Sequence, residues 1–110
     1  MEYCIFCEII EKKKPATIIA ENDDVLVVQD IAPKAPIHYL IIPKKHIKDI
    51  QSFLPQECCY GSKMMRMAQY LSATVKSASD FKFLINNGHA AGQRVFHLHA
   101  HFLAGKFFEE

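Results

Sequence analysis

Near its carboxyl end the chain carries the run Val95-Phe96-His97-Leu98-His99-Ala100-His101-Phe102-Leu103, with a histidine at every second position. Apolar residues separate the histidines and β-forming residues flank them, which predicts a β-strand. Because successive side chains in a strand point to opposite faces, we expect three imidazoles on one face and Leu98, Ala100 and Phe102 on the other.

A half-exposed strand without a function would show the same alternation. Solvent faces, however, usually mix Lys, Glu and Thr, whereas this face would hold three of the chain's six histidines. Imidazole serves near neutral pH as nucleophile, base or metal ligand, so the cluster favours a functional site.

The rest of the chain predicts further strands around one long helix. The β-rich segments 17–20 and 25–29 predict a hairpin, and strands are expected at 38–42, ended by Pro43, and at 81–85. The long helix is predicted from Pro55 to Ser79, because apolar residues recur there at spacings of three and four. This apolar stripe comprises Met64, Met67, Ala68, Leu71, Val75 and Ala78.

Shorter elements complete the prediction. Short helices are expected at 4–11 and 45–53, and a proline-containing loop at 31–36. Cys58 and Cys59 are expected to pack as small buried hydrophobic residues. Strands on both sides of one long helix predict an α+β fold with a mostly antiparallel sheet. No repeat or linker divides residues 1–110, so a single domain is expected.

Composition excludes several classes of function. The chain has 110 residues, of which 50% are hydrophobic and 23% charged, with a net charge of +1. Such a balance predicts no binding to nucleic acid and no binding to anionic membranes. The amino-terminal segment lacks a secretory signal, and no apolar run approaches the ~20 residues that span a bilayer, so a cytoplasmic protein is expected.

Two further motifs carry chemistry. Cys4 and Cys7 have the C-x2-C spacing of paired zinc thiolates, for which His46 and one histidine of the run are candidate partners. A redox pair and two ordinary buried cysteines are the alternatives. The loop at 86–94 contains Gly88 and Gly92, which would let backbone N–H groups approach a phosphate, although such a loop is ordinarily only a turn.

These motifs together resemble the histidine-triad (HIT) family. The segment His97-Leu98-His99-Ala100-His101-Phe102, entered through Gly92-Gln93, is similar to the family's histidine motif. The segment from Asp30 to Ile47 is similar to the central part of the branch called histidine triad nucleotide-binding proteins. The opening Phe6-Cys7-Glu8-Ile9-Ile10 is similar to the opening of that branch. The resemblance covers nearly the whole chain and implies a HIT-like fold with a five-stranded sheet.

The resemblance implies a hydrolase or transferase that acts at the α-phosphate of a purine nucleoside phosphoramidate. His99 would attack phosphorus to give a nucleotidyl-histidine that water resolves. His97, His101 and His38 would orient His99, bind phosphate oxygens and manage the proton of the leaving group. The implied nucleotide-binding set is Asp30 on the ribose, Ile31 at the base, Asn86, Gly92 and Gln93 on the phosphate side, and His99 and His101 themselves.

The resemblance also implies cofactors and partners. A structural zinc ion would be bound by Cys4, Cys7, His46 and His97, and no organic cofactor is expected. The partners would be a purine nucleotide substrate or AMP and a second copy of the chain in a homodimer. A dinucleoside polyphosphate hydrolase and a nucleotide-binding scaffold with incidental turnover are the alternatives.

One position departs from the family pattern. Arg94 follows Gly92-Gln93, where relatives of this branch carry a small hydroxyl residue that helps with the leaving group. An arginine at this position is expected either to pair with a phosphate or acidic group or to face solvent.

Overall fold

The histidine run leads into an interior strand of a five-stranded antiparallel sheet in the computed structural model, which describes residues 3–109. Along the chain the elements are α1 (Ile5–Ile10), β1 (Ile18–Glu21), β2 (Val25–Gln29), β3 (Ile37–Pro43), α2 (Cys59–Thr74), β4 (Phe81–Leu84) and β5 (Ala100–Ala104). The strands lie in the order β1-β2-β3-β5-β4, with every neighbouring pair antiparallel. The predicted α+β class is therefore confirmed.

The two faces of the sheet are covered by different helices. Helix α2 packs on one face, where its apolar stripe buries Met64, Met67, Ala68 and Leu71 against Leu98, Ala100 and Phe102. Helix α1 lies over the opposite face, where Phe6 packs against Leu26, Val28, Leu40 and Ile42. The alternation predicted for the histidine run is confirmed, because its apolar residues point to α2 and leave the histidines on the α1 side. None of the helices in the described part is long and apolar enough to cross a membrane.

The predicted strand at the histidines is too long at its beginning. Strand β5 begins at Ala100, which pairs with Ile41, so His97 and His99 precede the strand. The next pair of the ladder, His99 with Ile42, is not formed, and the Leu98 N–H donates instead to the Ile47 carbonyl oxygen. The Pro43 carbonyl oxygen instead lies 2.7 Å from Nε2 of His97.

Two predicted helices differ from the structure. Segment 45–53 contains only a 3₁₀ turn at Ile50–Ser52, because the Ile47 carbonyl accepts the Leu98 N–H at 2.6 Å instead of a helical bond. Helix α2 begins at Cys59 and ends at Thr74, where Val75 is extended and Ser77 follows with φ 69°. Ala78 is nevertheless buried in the core, beyond the end of the helix.

The expectation for the vicinal cysteines is wrong. Cys58 and Cys59 are both exposed, at the start of α2. Their thiols lie near the carbonyl oxygens of Leu54 and Gln56, in the turn that precedes the helix. The residues of α2 that face the core begin later in the helix, at Met64.

Candidate active site and metal centre

An open cleft of about 1310 Å³ lies on the α1 side of the sheet. Its walls are α1, the loop between β2 and β3, and the loop between β4 and β5. Most of the predicted nucleotide-binding residues line it, together with His38: Asp30, Ile31, Asn86, Gly92, His99 and His101. Gln93 and His97 are buried outside the cleft.

The ring of His99 is held in one orientation. Its Nδ1 lies 2.8 Å from the carbonyl oxygen of His97, and because a carbonyl only accepts, Nδ1 carries the proton and donates it. Nε2 then keeps its lone pair. The edge-to-face contact with Phe6, at 5.0 Å between ring centroids, supports the ring from the α1 side. His99 is thus a neutral imidazole with a free nitrogen at the cleft.

His38 and His101 form a hydrogen-bonded chain. The backbone N–H of Lys34 donates to Nδ1 of His38 at 3.0 Å, so in the neutral ring the proton is on Nε2. Nε2 of His38 lies 2.9 Å from Nδ1 of His101, which must accept. The remaining proton of neutral His101 is then on Nε2. A backbone amide therefore sets the protonation pattern of both rings.

Burial favours the neutral form of these imidazoles. Desolvation by burial lowers the pKa of His99 and of His38 below the usual value. The pKa of His101 is lowered to about 4, first by burial and then by the neighbouring His99 and His38. Neutral imidazoles are the form that a nucleophile requires, because the protonated ring has no lone pair.

Asp30 and Ile31 lie at the edge of the cleft formed by the end of β2. One carboxylate oxygen of Asp30 accepts the Ala32 N–H at 2.8 Å, and the other lies 3.4 Å from Nε2 of His38. Ile31 is fully exposed, with no apolar partner of its own. A partly buried carboxylate beside an exposed apolar side chain suits a ligand with hydroxyls next to a flat apolar ring.

The buried side chain of Gln93 fixes the loop between β4 and β5 through hydrogen bonds to main-chain atoms. It accepts the Gly88 N–H at 2.8 Å and donates to the carbonyl oxygens of Lys48 and Val95 at 2.9 and 3.1 Å. Both the oxygen and the nitrogen of the side-chain amide thus have partners within the protein. Gln93 therefore supports the loop and does not line the cleft. Asn86 donates to the Ala91 carbonyl at 3.0 Å and packs against Gly92, which has φ 101°.

His97 turns away from the cleft toward α1. Its Nε2 donates to the Pro43 carbonyl, so the lone pair is on Nδ1. Nδ1 lies 3.4 Å from Sγ of Cys4 and 3.6 Å from Sγ of Cys7, and Nδ1 of His46 lies 3.3 Å from Sγ of Cys7. The four ligand atoms of this cluster all lie within 4.8 Å of one another.

The cluster of Cys4, Cys7, His46 and His97 fits a tetrahedral zinc ion. Bond lengths of about 2.3 Å for Zn–S and 2.0–2.1 Å for Zn–N place sulfur and nitrogen ligands about 3.5 Å apart. The three sulfur–nitrogen distances above agree with this value. The carbonyl bonded to Nε2 of His97 is the outer partner that a metal-bound imidazole usually has. Without a metal, burial and then the adjacent Cys4 raise the pKa of Cys7 to about 11.

Sequence reasoning missed several contributors. Phe6 contacts the rings of His97 and His99, and main-chain groups of Lys34 and Pro43 set the protonation of His38 and His97. Phe6 is an apolar residue inside the C-x2-C motif, and nothing in the sequence around it indicates a contact with histidines near the other end of the chain. Main-chain partners carry none at all, because every residue has the same backbone.

Comparisons with known proteins agree with the observed fold. The model of the HIT domain family matches residues 11–108. Protein HitA of Neisseria gonorrhoeae is 38% identical over 103 residues, which cover 94% of this chain and 96% of that protein. A HIT family hydrolase from Clostridium thermocellum has a TM-score of 0.94 at 36% identity, over 100% of this chain and 96% of the other. A zinc-bound histidine triad family protein from Mycobacterium smegmatis has a TM-score of 0.80 at 33% identity, over 94% of this chain and 75% of the other.

Proposed function

The chain belongs to the HIT domain family, and from that premise we propose that it hydrolyses purine nucleoside phosphoramidates through a covalent intermediate on His99. The single observation that carries the proposal is the fixed ring of His99, with Nδ1–H on the His97 carbonyl and a free Nε2 at the cleft. The similarity to a HIT family hydrolase supports hydrolysis as the class of reaction.

The reaction proceeds in two displacements. In the first, the lone pair on Nε2 of His99 forms a bond to the α-phosphorus and the P–N bond of the substrate breaks. The departing amine keeps the bonding electron pair and takes up a proton. In the second, the oxygen of water forms a bond to phosphorus and the bond between phosphorus and His99 breaks. A proton from this water returns to the group that had protonated the amine in the first displacement. The net reaction consumes one water and releases AMP and the amine.

Each neighbouring group has a role in this scheme. The positive charge that develops on His99 is stabilised through Nδ1–H by the His97 carbonyl, so His97 acts through its backbone. His101 carries Nε2–H and manages the proton of the leaving group, while His38 holds its ring in that tautomer. A bound phosphate raises the pKa of His101 from its depressed value, because an opposite charge favours the protonated form.

The remaining cleft residues bind the nucleotide. Asp30 accepts from the ribose hydroxyls, and Ile31 covers the purine. Asn86 and the backbone at Gly92 face the phosphate, where a glycine lets N–H groups approach closely. Gln93 contributes by holding this loop, so its effect on nucleotide binding is indirect.

We also propose a structural zinc ion on Cys4, Cys7, His46 and His97, supported by the distances within the cluster and by the zinc-bound relative. A zinc ion held by these residues would not act as a Lewis acid in the reaction, because none of the four candidate ligands lines the cleft. It would contribute folding free energy and hold α1 over the sheet.

A homodimer in the cytoplasm completes the proposal. The apolar stripe of α2 does not support a subunit contact, because it is used on the chain's own sheet. Met65 and Tyr70 of the same helix are 63% and 55% exposed, but they are single apolar side chains, which are normal on a protein surface. The family resemblance is therefore what supports the dimer.

The test compares His99→Ala with His89→Ala. His89 is exposed in the loop between β4 and β5 and does not line the cleft, so its replacement controls for the loss of a surface imidazole. We expect His99→Ala to lower kcat on adenosine phosphoramidate by at least about 10³-fold with AMP binding retained, because the nucleophile is lost but not the binding groups. Unchanged turnover in His99→Ala would exclude the mechanism.

A further inference from the structure

Arg94 stands at the boundary between two depressions of the surface. It lines the cleft that contains His99 and His101, and it also lines a second depression on the far side of α1. The two depressions share Ile5, Arg94 and Val95. The side chain of Arg94 is exposed, so its guanidinium is accessible from both.

The guanidinium of Arg94 has no acidic partner in the part of the chain that the structure describes. Among residues 3–109 it forms no ion pair within 4 Å, although acidic side chains are present nearby. In the second depression Glu11 is paired with Lys13 at 3.2 Å, and Glu8 also faces that depression. A guanidinium held at the mouth of a catalytic cleft without an internal partner is available to a ligand.

The position of Arg94 relative to the other groups indicates which part of a ligand it meets. Asp30 and Ile31 lie at the end of the cleft formed by β2, and His99 lies between them and the loop that carries Arg94. A nucleotide with its ribose at Asp30 and its phosphorus at His99 therefore directs its leaving group toward Arg94. Beyond it, Tyr3 and the half-exposed Phe96 offer apolar surface in the second depression.

We propose that Arg94 is a specificity-determining residue that selects substrates whose leaving group carries an acidic function, a carboxylate or a phosphate, close to the bond that breaks. The inference rests on the proposed function and adds the chemical class of the leaving group. Arginine binds both anions through two parallel N–H groups, which neither a small hydroxyl nor a lysine reproduces.

The experiment uses matched pairs of adenosine phosphoramidates. The first pair carries β-alanine or β-alaninamide on phosphorus, and the second carries phosphoethanolamine or ethanolamine. Within a pair the two substrates differ only in the acidic group or its neutral replacement. The readout is the ratio of kcat/KM for the acidic substrate to that for the neutral one, measured in the wild type, Arg94→Gln, Arg94→Lys and Arg66→Gln.

Arg66 is the matched control. It is the other arginine of the chain, lies exposed on α2 and lines neither depression. We expect Arg94→Gln to lower the ratio about tenfold, since a charge-assisted hydrogen bond is lost only with the acidic substrate. Arg94→Lys retains part of the ratio, and Arg66→Gln retains all of it. A response in only one pair identifies the preferred anion, carboxylate or phosphate.

A ratio that is the same in Arg94→Gln and the wild type in both pairs overturns the inference. Binding of the uncleaved substrates to His99→Ala, with and without Arg94→Gln, separates this result from a failure of the proposed function. If the acidic substrate binds more tightly and only through Arg94, but no substrate is hydrolysed by the wild type, the proposed function is wrong and the selection by Arg94 stands. Equal binding of both members of each pair, with or without Arg94, overturns the selection itself.

Discussion

In three histidines of the site, a hydrogen bond to a main-chain atom determines which ring nitrogen carries the proton. His99 donates to the His97 carbonyl, His97 to the Pro43 carbonyl, and His38 accepts from the Lys34 N–H. Each bond leaves the other ring nitrogen with a defined role: a lone pair on His99 and His97, and a proton on His38. Substitution of Lys34 would keep its main-chain N–H donor unless the new residue is proline, which has no N–H. Substitution of Pro43 would keep its carbonyl acceptor.

The depressed pKa of His101 predicts acid sensitivity. Its pKa is about 4 in the folded protein against about 6.5 when unfolded, so the unfolded chain binds more protons between these values. The stability that this group contributes is complete above about pH 6.5 and is lost as the pH falls toward 4. Because the ring is partly exposed, we expect its share to be only about 1 kcal/mol, or roughly 5 °C in Tm.

The measurement is Tm as a function of pH from 7.5 to 4.5, in the wild type and in His101→Asn. Asparagine does not titrate and its oxygen still accepts from His38, so the variant should lose Tm less steeply in acid. Equal slopes in the two proteins would contradict the depressed pKa of His101.

At the scale of elements, α1 forms a wall of the cleft, and its N-cap residue Cys4 and its Cys7 are two candidate metal ligands. Its Phe6 is buried and stands edge-on to the rings of both His97 and His99. The helix is too short to be stable alone, so its position depends on Phe6 and on the Cys4–Cys7 cluster.

Phe6→Ala is therefore expected to lower both stability and activity. Loss of a buried phenyl ring costs about 3–5 kcal/mol in a protein core, and the His99 ring loses its support. Phe6→Leu keeps most of the volume and should cost less than about 1.5 kcal/mol. Urea denaturation and kcat/KM measure the two effects. If both variants turned over substrate like the wild type, contact with Phe6 would not position His99.

Secondary structure was predictable where local pattern and tertiary contacts agree. The hairpin of β1 and β2, the strand β3 and the stripe of α2 follow from alternation and helical spacing. Segment 45–53 has a helical pattern but no regular structure around Ile47, whose carbonyl oxygen accepts the N–H of the distant Leu98. The end of α2 was missed for a similar reason, because Val75 and Ala78 reach the core without helical geometry.

Residue chemistry alone predicts the candidate site as a set of residues, whereas the assignment of His97 to the metal ligands and of His99 to phosphorus came from the family resemblance. Side-chain chemistry and motif spacing single out the histidines and the C-x2-C pair. They do not reveal that His97 faces the cysteines while His99 faces the cleft, since that division depends on the Pro43 carbonyl. The exposure of Cys58 and Cys59 likewise depends on where α2 begins.

At the scale of the whole molecule, the metal cluster joins residues far apart in the chain. Cys4 and His97 are separated by 93 positions, so a zinc ion would cross-link the start of the amino-terminal helix to the segment that leads into β5. A cross-link that closes a loop of this length restricts the unfolded chain strongly.

Removal of zinc should lower stability without unfolding the sheet at room temperature, because the apolar core under α2 contains none of the ligands. We expect chelation or Cys7→Ser to lower Tm by roughly 10 °C or more. Cys58→Ser is the control, since that thiol is exposed and outside the cluster. Elemental analysis should give about one zinc per chain in the wild type and in Cys58→Ser. If the wild type as purified contained no zinc and chelation did not change its Tm, a structural ion would be ruled out.

The contact between His97 and Pro43 also bears on the order in which the molecule is assembled. Nδ1 of His97 faces the cysteines while its Nε2 lies on the carbonyl oxygen of Pro43, the last residue of β3, and β3 pairs with β5. We therefore expect the proposed zinc ion to meet its complete ligand set only in chains whose central sheet has formed.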